Sequence, residues 1–138
     1  MQVKSAKQYL DEIDAKFFEA KRDRLSRLDP RWGVWSGEMN REIRRIVSEL
    51  DGKDQQAAVR YKLTFFYWAT CSRIIEALYR GRGIFGRAKI KRDQKVLVNL
   101  RRQILSSGQI EDVDFSPEGV ADSIFGGIVK LGRKHKRS

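Results

Sequence analysis

One stretch constrains this chain more than any other: Leu63-Thr64-Phe65-Phe66-Tyr67-Trp68-Ala69, set inside a segment whose apolar residues recur at three and four. A helix that is apolar nearly all round must be covered on most sides. The dense stretch Leu63 to Cys71 is far short of the roughly 20 residues that cross a bilayer, so the cover has to be protein. The rest of the chain supplies it. Only two prolines occur, Pro30 and Pro117, both at apparent helix boundaries, and the apolar period is helical throughout. The expected fold is all-α: a compact bundle of about five helices around a long, aromatic-rich central helix, with a basic C-terminal tail. At 138 residues it forms one domain, read as residues 1–131, with 132–138 as the tail.

Local signals divide the chain. Ser5 and Gln8 make a capping box for a first helix running to Leu28, its stripe being Tyr9, Leu10, Ile13, Phe17, Ala20 and Leu28. Asp29-Pro30 ends it. Arg31-Trp32-Gly33-Val34-Trp35 reads as a connector, and Ser36 as the cap of a second helix to Asp51, with Gly52 as a left-handed stop. Asp54 caps the central helix, to about Tyr79. Gly81, Gly83 and Gly86 make residues 80–87 a loop. A fourth helix covers Ala88 to Ser106, with Ile90, Leu97, Leu100 and Ile104 inward; an acidic link, Gln109 to Phe115, follows. Ser116-Pro117-Glu118 starts a fifth helix carrying Val120, Ile124, Phe125, Ile128, Val129 and Leu131.

Several chemistries are poorly served. One cysteine, Cys71, allows no intrachain disulfide and fits a cytoplasmic setting. One histidine, His135, stands three residues from the last. Zinc sites and histidine-assisted nucleophiles need more than that. The carboxylates Glu111, Asp112 and Asp114 lack the spacing of a known cation loop. The Arg-Gly stretch is not a Walker loop, because no Gly-Lys-Ser/Thr follows and no strand precedes it. No apolar leader follows Met1. The expectation is a non-enzymatic protein without metal or cofactor, and without a membrane anchor.

Charge carries the functional signal. The formal net charge is +11, and it is uneven. Residues 80–102 hold nine basic groups and one acid, Asp93; residues 103–129 hold five acids and no base; residues 130–138 hold five bases. Clustered Lys and Arg are the electrostatic footprint of a polyanion partner, because binding relieves repulsion and releases counterions. The candidate phosphate contacts are Arg80, Arg82, Arg87, Lys89, Lys91, Arg92, Lys95, Arg101 and Arg102, with Arg133, Lys134, Lys136 and Arg137 of the tail adding non-specific affinity. Lys91, Lys95 and Arg102 share a helix face opposite Leu97, Leu100 and Ile104. The acidic link either folds against this basic helix or offers a docking strip to a neighbouring copy.

Aromatic residues bear on which nucleic acid. Phe85 lies among the arginines, as in a single-strand stacking site; the alternative is that Ile84-Phe85 plugs the end of the bundle. Trp32 and Trp35 are either stacking residues or a cover for the core.

The order of three pieces resembles the small all-helical subunit of type III CRISPR effector complexes. These are Asn40-Arg41-Glu42-Ile43-Arg44-Arg45, then Lys62-Leu63-Thr64-Phe65 with Arg73, then Phe125-Gly126-Gly127-Ile128-Val129, spread over residues 36 to 131. Each motif is short. Arg73 falls four residues later than in that family, and the glycine-arginine stretch 80–87 has no counterpart there. The resemblance implies a non-catalytic subunit stacking along a guide–target duplex. The sequence thus points to a protein contacting RNA or DNA through its phosphates, with little sequence preference, alone or as an oligomer or part of a larger ribonucleoprotein. The alternative is an adaptor or inhibitor that docks on an acidic protein, using the aromatic helix as its interface.

Overall fold

The computed structural model describes residues 3–81, 83–126 and 129–132, the side chains of residues 125 and 126 excepted. Five helices make up an all-α bundle: α1 (Ala6–Arg22), α2 (Pro30–Leu50), α3 (Gln55–Arg80), α4 (Ile84–Leu105) and α5 (Pro117–Gly126). The central helix, α3, packs against all four others. Its Phe65, Phe66, Tyr67, Ile74 and Ile75 are buried within the single chain. The aromatic run is therefore core.

Helix boundaries show where local signals compete. The Ser5–Gln8 box forms as expected, with both of its hydrogen bonds in place. But α1 stops at Arg22, not Leu28. Arg24 adopts a left-handed backbone (φ 56°), and the Leu25 amide reaches back to the Ala20 carbonyl at 3.0 Å. That closes the helix, returns Leu25 to the core and leaves Leu28 79% exposed. The expected connector Arg31–Trp35 is instead the start of α2. Asp29 accepts a hydrogen bond from the Arg31 amide (2.9 Å), and Pro30 occupies the first turn, where a missing N–H costs nothing. Ser36, far from capping, is buried mid-helix and accepts a hydrogen bond from Trp68 Nε1 at 2.7 Å. Asp54 caps α3 through the Ala57 amide, after a turn in which Gly52 takes a φ of 80°.

Two further expectations change. The loop before α4 is shorter, because Ile84 to Arg87 are helical. Gly86 lies in the first turn, whose amides have no intrahelical partner to lose, so a glycine there weakens little. The fifth helix ends at Gly126 instead of running to Leu131. Residues 129–132 are extended against the link, with Asp114 N donating to Lys130 O (2.8 Å) and Gly132 N to Asp112 O (2.9 Å). Ile128 lies outside the described residues. Gly119 is required by this arrangement: a Cβ there would stand 2.3 Å from Asp114 Cγ.

The acidic link does not fold against the basic face of α4. It is held by the first half of α3. Gln56 exchanges two hydrogen bonds with the Ile110 backbone (2.8 and 3.0 Å), Arg60 donates to the carbonyls of Ser106 and Gly108 (2.6 and 2.8 Å), and Lys62 pairs with Asp112 at 2.9 Å. No helix among the described residues is long and apolar enough to cross a membrane.

Candidate nucleic-acid interface

Helix α4 lies along α3 with a narrow buried stripe: Asp93, Leu97, Leu100 and Ile104. These positions are spaced by four, three and four, so they fall on one side of the helix. Asp93 begins that stripe, and its fate decides the electrostatics of the opposite side. Its carboxylate is 2% exposed and lies against the Arg73 guanidinium of α3, which donates to Oδ1 and Oδ2 at 3.2 and 3.3 Å. Arg73 also donates to the Ser123 carbonyl (2.8 Å) and Thr70 Oγ1 (3.2 Å). The single acid of residues 80–102 is thus consumed inside the fold. An unpaired buried charge would cost several kcal/mol, so Arg73 and Asp93 hold each other.

Outside that stripe α4 exposes Lys89, Lys91, Arg92, Lys95 and Arg102, with Lys91, Lys95 and Arg102 opposite it. Among the described residues, Arg87, Lys89, Lys91 and Lys95 have no ion-pair partner. Arg92 has only the edge of the inward Asp93, at 3.7 Å, and Arg102 donates to Asn99 of its own helix at 2.6 Å. Like charges one turn apart cost a helix a few tenths of a kcal/mol per pair. For Lys91 and Lys95 no ion pair among the described residues recovers that cost.

Other candidates lie elsewhere. Arg101 leaves the exposed row: it donates to Asp14 of α1 and stands over the Tyr67 ring at 5.8 Å, tying α1, α3 and α4 together. It is four residues from Leu97 and three from Ile104, and that spacing already puts it at the edge of the buried stripe. Arg80 ends α3 in an ion pair with Glu76, whose carboxyl is held below its ordinary range chiefly by that bond. Arg82 lies outside the described residues, as do Arg133, Lys134, Lys136 and Arg137. Trp32 is 1% exposed and donates to Ser72 at 3.0 Å, so no face is left for a base. Trp35 is half-buried, packed on the core with its Nε1 donating to Glu12 at 3.0 Å. Both tryptophans therefore serve the core, and Trp32 is withdrawn as a stacking residue.

Phe85 and Ile84 do not plug the bundle. They stand 91% and 79% exposed at the head of α4. On the side of Ile84, away from Phe85, runs an open groove of about 700 Å³, lined by Leu78 of α3 and by Ile84, Arg87, Ala88, Ile90, Lys91 and Gln94. The sequence reading missed the groove. Its signal is the return of Ile84, Arg87 and Lys91 at helical spacing beside the apolar end of α3.

Comparison with known proteins finds no matching family model, no similar curated protein and no similar solved structure.

Proposed function

We propose that this chain is a non-enzymatic nucleic-acid-binding protein that holds a phosphate backbone on the outer face of α4 with low sequence specificity. One observation carries the reading: five cations stand exposed on α4, three of them (Lys91, Lys95 and Arg102) opposite the buried stripe, while the acid that would offset them is paired inside with Arg73. A surface of this kind gains by exchanging its counterions for a polyanion. The cations sit on a rigid helix, which suits contacts that position a strand without reading its bases. In the terms of the resemblance drawn from the sequence, the protein is a small subunit of a larger ribonucleoprotein. Arg41, Arg44 and Arg45 are exposed on α2, as that role wants, whereas Arg73 is committed to Asp93.

The test is the triple variant Lys91→Glu, Lys95→Glu, Arg102→Glu, measured by fluorescence anisotropy with labelled RNA and DNA across a salt series. Each phosphate contact contributes about 0.9 to the slope of log affinity against log salt. Losing three should flatten the slope by about three and take binding below detection at moderate salt, with helicity by circular dichroism unchanged. Unchanged affinity in a folded variant would sink the proposal.

A further inference from the structure

The exposed aromatic at the head of α4 adds nothing to the fold. Burying a phenylalanine stabilises a protein by about 1.5–3 kcal/mol, and Phe85, at 91% exposure, forgoes nearly all of it. Ile84 beside it is 79% exposed. Adjacent exposed apolar side chains mark a surface that something else covers. The surroundings say what. On α4, Lys89 and Arg92 follow Phe85 at four and seven residues and so share its side of the helix. Both are exposed. A flat ring set beside exposed cations matches a strand that presents flat bases and regularly spaced phosphates.

We propose that Phe85 forms a stacking subsite for an unpaired nucleotide of single-stranded nucleic acid, with the flanking phosphates on Lys89 and Arg92. This rests on the reading of α4 as a phosphate-binding face and adds the strand state to it. In a duplex each base face is already covered by its neighbours, so a ring projecting from the protein finds no partner there. Cations along α4 engage either form; Phe85 engages only the single strand.

The experiment compares wild type, Phe85→Ala and Phe85→Trp on labelled oligo-dT and oligo-U of about twelve nucleotides and on a blunt duplex of the same length. Phe85→Ala should lose about five- to a hundredfold on both single strands, change duplex affinity less than about twofold, and be rescued by Phe85→Trp. The residue is exposed, so the variants fold, and circular dichroism checks it. Equal loss on strand and duplex, or none on either, overturns the stacking subsite and leaves the phosphate face standing. Wild type that binds no probe at low salt overturns both. Sedimentation of the same proteins supplies the remaining outcome. A wild-type dimer that Phe85→Ala makes monomeric means a second copy covers the patch, and the subsite falls.

Discussion

Helices α3 and α4 lie side by side and are of similar length, 26 and 22 residues, yet they are built for opposite ends. Most of α3 is enclosed, including polar residues such as Thr64 and Thr70, whose hydroxyls satisfy themselves on the carbonyls one turn back, Arg60 and Phe66. Only four residues of α4 are buried, and one of them is an aspartate. Burial on α3 is what makes the bundle. On α4 a single stripe secures the helix, and the remaining surface is free to carry charge that the fold does not need. Stability and binding should therefore separate cleanly between the two.

The largest effect is expected from the enclosed helix. Phe66 is 1% exposed and meets Phe65 and Phe115 edge-on at 5.7 and 5.9 Å. Phe66→Ala should cost about 3–5 kcal/mol, read from the urea midpoint. A loss below about 1 kcal/mol would break the comparison. Asp93→Ala tests the point where the two helices meet, since it leaves Arg73 buried without its carboxylate; a loss of about 3 kcal/mol is expected. A stable Asp93→Ala protein would mean Arg73 swings out to solvent.

A smaller effect concerns pH. Burial pushes the Tyr67 phenol up from its ordinary value near 10, and its hydroxyl donates to Asp14 at 2.6 Å. Above pH 10 the unfolded chain gives up this proton while the folded chain keeps it. Stability is thus full below that value and declines as pH rises through it. Urea midpoints taken across the alkaline range should fall less steeply for Tyr67→Phe than for wild type; parallel curves would remove the phenol from the account. The smallest effect belongs to the triple variant on the outer face of α4. Its stability should stay within about 0.5 kcal/mol of wild type, even as its affinity for nucleic acid collapses.

How much of this was legible in the sequence depended on whether a signal was local. The enclosed character of α3 was plain, since seven nearly continuous apolar residues leave a helix no solvent face. The start of α2 was not, because Asp29-Pro30 reads equally as a helix end and a helix start; in the structure it only opens α2, α1 having closed at Arg22. Glycine misled at Gly86, where its position in the first turn mattered more than its propensity. On α4 the cationic face followed from spacing against Leu97, Leu100 and Ile104. What spacing on α4 could not supply was the identity of the partners: Arg73 for Asp93, and Asp14 for Arg101, come from other helices. The exposure of Phe85 is likewise a fact of tertiary packing, for an apolar pair in a loop more often turns inward.

The hold of α3 on the link before α5 has a consequence for the order of folding. Gln56, Arg60 and Lys62 sit on one helical run, and they grip Ile110, Ser106 with Gly108, and Asp112 across some fifty residues of chain. Each grip is a side chain satisfying the link's backbone or Asp112, so the link takes its shape from α3. Closing a loop of some fifty residues carries an entropic cost, and these contacts repay it once α3 presents their side chains together. The link is therefore expected to follow α3 in folding, with α5 seated behind it by the close approach of Gly119 to Asp114.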